Sequence, residues 1–396
     1  MIEISNLRKY AMGGGMRLEA DITFTDMPSP YSEKTLYFEV DKAHGDMLAD
    51  DTYDAFVLVP LYLAMYHKQD LHIRGNISKK LYQNIKWYIP RILCDFSDDL
   101  KPVKFTVDGF TSPKRKGNLI GTGISCGVDS LSTIYDHFVK EIDPDYRINA
   151  LFFFNYGSHG DFGDPHTIRT FQNRYNRNIN AANELGLPVY TINTNLHAFT
   201  HARWIGGQKL GYFATYSCVF TMQSEIFRYY ASGNYSYSEI KKCEEYSRNR
   251  DMAEFSESYI VPLVQIDNLE LIIDGCQYRR CDKVKNIADW DIAQKYLNVC
   301  VHRTADASNC GICPKCLATL LPLEILGKLD KFSRVFNIEQ YRRNSFNCKI
   351  KCVQNSLNPN TRDALLSCNV DFAREHNFPM PTKRDCYVLG NQATIV

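Results

Sequence analysis

Gly121–Asp136 reads G-T-G-I-S-C-G-V-D-S-L-S-T-I-Y-D, and the fold turns on how this stretch is read. Small residues recur at Gly121, Gly123, Ser125, Gly127 and Ser130, where a backbone must approach something closely. Leu131, Ile134, Tyr135 and Phe138 then fall at i, i+3, i+4 and i+7, the spacing of an amphipathic helix. Ahead of the turn, Asn118–Ile124 suits a short buried strand. Strand, small-residue turn and helix start together make an anion site, because free backbone N–H groups and the positive end of the helix dipole converge there. The competing reading is a glycine-tolerant strand–helix corner with Asp129 as its N-cap.

The common phosphate loop, G-x-x-x-x-G-K-[ST], is not present, and no lysine sits in the turn. The pattern S-x-G-x-D-S at Ser125, Gly127, Asp129 and Ser130 resembles instead the PP-loop of the ATP pyrophosphatases, which split ATP between its α and β phosphates.

The chain of 396 residues has room for one large or two ordinary domains and a sizeable core. At 44% hydrophobic and 23% charged residues it has an ordinary globular composition. Lys+Arg 46 against Asp+Glu 45 gives no global argument for a nucleic-acid or membrane surface. Met1–Arg17 has no apolar run of the secretory kind, and the longest apolar run, Ala55–Tyr66, is too short to span a bilayer. Fourteen cysteines without such a signal point to a reducing compartment, where clustered cysteines are metal ligands or reactive thiols more often than disulfides. The expectation is a cytoplasmic protein with no membrane partner.

Residues 1–115 read as an α+β leader, with strands at Arg17–Thr25, Thr35–Val40, His72–Ile73 and Val103–Val107 and helices at Asp54–Tyr66 and Ser78–Ile92. The polar connector Ser112–Gly117 marks the expected boundary. Residues 116–336 alternate strand and helix. Ile148–Phe154, Val189–Ile192, Ile226–Ala231 and Glu270–Ile273 read as strands, and His166–Leu185 and Lys209–Met222 as helices, the first stopped by Gly186. This alternation predicts an α/β fold with a doubly wound parallel sheet and right-handed crossovers. Ligands then bind beyond the carboxyl ends of the strands, which places Ser125–Ser130, Asn155–His159, Asn193–Asn195 and Ser232–Gly233 around one crevice. Lys241–Asp251 is a charged insertion that reads better as a solvated face than as a lid. Residues 337–396 form a polar tail with one expected helix at Thr361–His376.

A second signal is Cys300, Cys310, Cys313 and Cys316, in C-V-H-R-T-A-D-A-S-N-C-G-I-C-P-K-C. Four thiolates on a tight knuckle suit a closed tetrahedral Zn²⁺ site that stabilises a loop with little core of its own. An iron–sulfur cluster is the rival occupant. His302 is a bystander, since four cysteines complete the shell, and Leu317–Leu326 reads as a helix that fixes the knuckle to the core. Cys348 and Cys352, at i, i+4 without a partner pair, read as plain cysteines.

Together the PP-loop residues Ser125–Ser130, Cys300 and Asn309–Leu317 make the chain resemble the QueC-like family, over roughly residues 118–335. The namesake is 7-cyano-7-deazaguanine synthase, of the adenine nucleotide α-hydrolase-like fold. Two features depart from it. Cys126 stands where the loop usually has glycine, and the leader and tail are additions. The resemblance implies an ATP-binding loop of Ser125, Cys126, Gly127, Val128, Asp129 and Ser130. In it the serine hydroxyls and the Gly127 N–H hold phosphates, Asp129 holds Mg²⁺, and Asp129 and Ser130 act in catalysis. The end of Ile148–Phe154 would meet adenine. The activity implied is adenylation of a carboxylate or amide oxygen, followed by attack of ammonia or an amine to give an amide or nitrile. The acceptor would be a small molecule, such as a 7-deazaguanine-type compound, or a protein. A homodimer or an operon-encoded protein partner is compatible with this.

Arg280, Asp282 and Lys283 are candidate charge partners for phosphate or an acidic substrate, and equally candidates for a surface ion pair. Cys126 at a helix start is either a nucleophile of lowered pKa or, as the absence of an identifiable base favours, a simple replacement of glycine. Competing functions are a PP-loop sulfurtransferase acting on RNA, against which the missing basic stripe counts, a QueC-like antiviral-defence component modifying a protein or nucleotide, and a non-catalytic nucleotide-binding module.

Overall fold

The computed structural model describes residues 1–112, 116–160, 163–199, 211–244, 252–300, 308–357 and 364–390. It is an α/β structure around one sheet of ten strands: β1 (Ile2–Met12), β2 (Gly15–Phe24), β3 (Thr35–Asp41), β4 (Leu71–Ser78), β5 (Phe105–Thr111), β6 (Leu119–Gly123), β7 (Ala150–Asn155), β8 (Val189–Thr194), β9 (Ile226–Ser232) and β10 (Glu270–Asp274). Their order is β10-β9-β6-β7-β8-β3-β2-β1-β4-β5. The half from β10 to β8 is parallel throughout, as the strand–helix alternation predicts. The other half is mixed, with β1, β2 and β3 antiparallel and β4 and β5 parallel.

The two halves meet where β3 pairs antiparallel with β8, Phe38 opposite Thr194 and Glu39 opposite Asn193. Asn195 clamps this seam: its side chain accepts from Tyr37 N at 3.0 Å and donates to Thr35 O at 2.7 Å. Asn193–Asn195, placed in the ligand crevice by the sequence reading, therefore serves the seam. Asn193 Oδ1 also accepts from Asn155 Nδ2 at 3.1 Å, leaving the strand ends there occupied with one another.

Strand periodicity sorts the core onto the two faces of the sheet. Phe152, Phe154 and Tyr229 join a core that runs from Ile2 to Leu271 and is shared by both halves. Leu151, Phe153 and Tyr230 join a second core with Val128, Leu131, Cys316 and Leu320. β7 is consequently buried on both sides.

Several elements differ from the sequence reading for local reasons. β1 was not read, because its alternation is broken by a bulge between Ser5 and Arg8, where Asn6 takes a φ of 55°. The predicted helix Ser78–Ile92 is two helices, Lys79–Trp87 and Ile89–Phe96, divided where Pro90 enters the first turn of the second. Among its described residues the tail holds three helices, Ile338–Leu357, Ala364–Glu375 and Lys383–Gly390, with Cys348 and Cys352 buried in the second core. Much of Lys241–Asp251 and all of His302 lie outside the described residues. Among the described residues no helix is long and apolar enough to cross a membrane.

Phe38 is fully buried at the seam and packs edge-on against Phe56 at 5.2 Å. Phe38→Ala is expected to destabilise the protein by about 3–5 kcal/mol. Urea unfolding should show one transition moved to lower denaturant, with both halves lost together.

Candidate functional site

β6 ends at Gly123, and after four intervening residues the helix Val128–Ile134 begins, continued to Lys140 by a wider π turn. Between them Cys126 adopts φ 53°, the left-handed region that normally favours glycine. Its carbonyl accepts from Asn298 N at 2.7 Å, tying the turn to the segment that leads into Cys300. Ser125 Oγ is the centre of the turn: Gly127 N donates to it at 3.2 Å, and Ser130 Oγ lies 3.0 Å away. The donors expected to cradle phosphate thus converge on one small volume. Cys126 and Val128 turn fully buried side chains into the second core, so only their backbone faces this turn. Burial pushes the Cys126 thiol up to about 12, which is the reverse of an activated nucleophile.

Asp129, in the first turn of the helix, is held by two cations. Arg280 Nη1 donates to its Oδ2, and Lys283 Nζ donates to its Oδ1 at 2.9 Å. Both cations sit on the first turn of the helix Arg280–Ile287 and both are buried, so the surface ion-pair reading of them does not hold. Lys283 also donates to Gly233 O. Desolvation would raise the Asp129 carboxyl, but Arg280 and Lys283 overcome it and hold the group down at about 2. Asp282 is occupied elsewhere, by Arg279, which also pairs with Glu375 of the tail.

A cavity of about 420 Å³ opens at this turn, beyond the carboxyl ends of β6, β7 and β9. Ser125, Gly127, Asp129, Ser130 and Arg280 line it, as do Ser158, His159 and Ser232 from the strand ends. Sequence reasoning missed Arg174, Asn178, Tyr229, Glu257, Cys300 and Lys315, which also line it. Three of its buried polar atoms, His159 Nε2, Asn178 Oδ1 and Arg280 Nε, have no hydrogen-bond partner among the described residues. His159 Nδ1 lies 3.1 Å from Arg174 Nη1. Burial and then the Arg174 charge lower the His159 pKa to about 3, so the ring is neutral at pH 7 and Nδ1 is the acceptor of that bond. On the other side of β7, Glu257 Oε1 accepts from Tyr216 Oη at 2.8 Å.

Cys300, Cys310, Cys313 and Cys316 gather with their sulfurs all within 4.8 Å of one another. Asn309 shapes the knuckle. Its Oδ1 accepts from Val299 N at 2.8 Å and Cys300 N at 3.2 Å, and its Nδ2 donates to Leu297 O and Val335 O, both at 2.9 Å. Gly311 takes φ 75° at the bend, and Pro314 starts the helix Pro314–Ile325. Four converging sulfurs fit a single bound metal ion.

No protein-family model, curated protein or solved structure matches the chain. Both Asp129 oxygens already bind cations, so Mg²⁺ fits there only with phosphate oxygens supplying most of its ligands.

The Asp129 pKa lies below its unfolded value of about 3.9. The ion cluster then adds stability that is complete above about pH 4 and is lost as pH falls toward 2. Asp129→Asn leaves two buried cations uncompensated, and is expected to cost about 3–5 kcal/mol at neutral pH. It should also flatten the acid limb of stability between pH 4 and 2. Urea denaturation across pH measures both.

Proposed function

We propose that the chain is a QueC-like ATP-dependent ligase that adenylates a carboxylate or amide oxygen, releases pyrophosphate, and lets ammonia or an amine attack the adenylate. The observation that carries this reading is the meeting of the Ser125–Gly127–Ser130 donors with the Arg280–Asp129–Lys283 cluster at the mouth of one cavity. A strand–helix corner alone calls for neither a cavity nor two buried cations on its first-turn aspartate.

On this reading Ser125, Ser130 and the Gly127 N–H bind the β and γ phosphates, exchanging their bonds with one another for bonds to phosphate oxygen. Arg280 neutralises charge that builds on the departing pyrophosphate. Asp129 would hold Mg²⁺, which supplies electrostatic stabilisation between phosphate oxygens when bound. The nucleotide base lies toward Asn178 and His159 at the end of β7, and the acceptor toward Tyr229 and Glu257, so that the acceptor oxygen approaches the α phosphorus in line. The acceptor is a small molecule, of which the 7-deazaguanine type is the one that the family resemblance implies, or a protein.

For the cysteine site we propose Zn²⁺ in a structural role. Bonds of about 2.3 Å in a tetrahedron place sulfurs about 3.8 Å apart, and here Cys310–Cys316 and Cys300–Cys313 are at 3.9 and 4.0 Å. A cubane iron–sulfur cluster binds each cysteine to a different iron and spreads the sulfurs further. The sulfurtransferase reading needs a reactive cysteine in the cavity. Cys126 is buried and protonated, and Cys300 belongs to the cluster.

Pyrophosphate release from ATP, with 7-carboxy-7-deazaguanine plus ammonia as the first pair and other carboxylates and amines next, tests the proposal. Ser130→Ala and Asp129→Asn should each lower the rate by about 100-fold or more. Release that both variants leave unchanged would remove the loop from the reaction. Elemental analysis should find one zinc per chain in a colourless protein, lost in Cys313→Ser.

A further inference from the structure

Lys315 lies between two metal ligands, Cys313 and Cys316, and yet lines the phosphate cavity. It occupies the second position of the helix Pro314–Ile325, a half-buried side chain. Its carbonyl accepts from Thr319 Oγ1 at 2.9 Å. Its ammonium group makes no hydrogen bond or ion pair with any described residue. The charge nonetheless acts on the turn, since Lys315 joins Arg280 and Lys283 among the groups that depress Asp129. Arg280 and Lys283 together exceed the Asp129 charge by one, and Lys315 raises the excess to two. Such an excess at the end of a cavity suits a polyphosphate better than a neutral ligand.

The cysteine cluster is what holds this lysine in place. Cys313 N donates to Cys310 Sγ at 3.3 Å, and Asn309 ties both arms of the knuckle to Leu297 and Val335. The same knuckle reaches the phosphate turn through the bond from Asn298 N to Cys126 O. Without a metal the four sulfurs are no longer bonded to a common centre, and both links then loosen.

We propose that Lys315 is a phosphate-binding residue of the ATP site, positioned by the cysteine cluster, so that polyphosphate affinity depends on the bound metal. This rests on the ATP reading given above. The competing role for Lys315 is to balance the negative charge of a four-thiolate metal centre, which would act on metal affinity and leave phosphate affinity alone.

Calorimetric titration of the metal-loaded protein with ATP, inorganic pyrophosphate and adenosine distinguishes these. Lys315→Met should weaken ATP and pyrophosphate by about 10- to 100-fold, leave adenosine unchanged, and retain its metal. Lys315→Arg should recover most of the loss. Wild-type protein stripped by a chelator should show the same selective loss, reversed when zinc is restored. Unchanged pyrophosphate affinity in Lys315→Met overturns the proposal, as does a loss shared equally by adenosine or accompanied by loss of metal. ATP binding that survives Lys315→Met but fails in Ser130→Ala removes Lys315 and keeps the ATP reading. A wild-type protein that binds neither ATP nor pyrophosphate removes both.

Discussion

The ammonium group of Lys283 joins three strand ends. It binds Asp129 in the helix after β6 and the carbonyl of Gly233 after β9, and it passes against Gly275 after β10. A Cβ at Gly275 would sit 3.1 Å from Lys283 Cε, and that residue takes φ 84°, so both space and conformation call for glycine there. Arg280, three residues earlier, closes the other side of Asp129. Desolvating these charges is costly, and the cost is offset only while all three remain together. The arrangement therefore fixes the distance between the sheet and the helix Arg280–Ile287, and with it the mouth of the cavity. Pairing the carboxylate with two cations also keeps the turn positive in the absence of ligand, so an entering anion meets favourable potential without a prior rearrangement.

How far the sequence revealed this depends on the range of the interactions involved. The strand–turn–helix of Gly121–Asp136 and the four-cysteine knuckle are local patterns, written in consecutive residues, and both are where the sequence placed them. The parallel half of the sheet follows from the same alternation. What stayed hidden is non-local. Nothing in the sequence says that Arg280 and Lys283 turn inward to Asp129 more than a hundred residues away, since a charged helix start reads equally well as a solvated end. Glu257 and Asn178 sit mid-helix without a motif, and only folding brings them to the cavity. Lys315 was masked by its neighbours, because the pattern that identifies the cysteines assigns nothing to the residue between them. The seam between β3 and β8 was invisible for another reason. An edge strand from one pattern and an edge strand from another carry no signal that they pair, and the polar run at Ser112–Gly117 suggested separation.

Cys126 shows why the Ser125–Ser130 turn and the cysteine cluster are best regarded as one packing unit. Holding a residue with a side chain in the left-handed region costs roughly 1–2 kcal/mol relative to glycine. Glycine would remove that cost and leave a gap in the core that Cys126 shares with Val299, Cys313, Cys316 and Leu317. Burying the thiol in that core recovers a comparable amount, so the substitution is close to neutral in stability while adding shape. The added shape is directional. The side chain faces the cysteine-cluster core, and the carbonyl on the same residue receives the Asn298 N–H from the strand of chain leading into Cys300. A glycine at this position would keep the hydrogen bond but lose the contact that resists rotation about it. With both, a shift of the knuckle must move the turn that carries Ser125 and Ser130, and the most reactive-looking residue type in the loop acts through its packing.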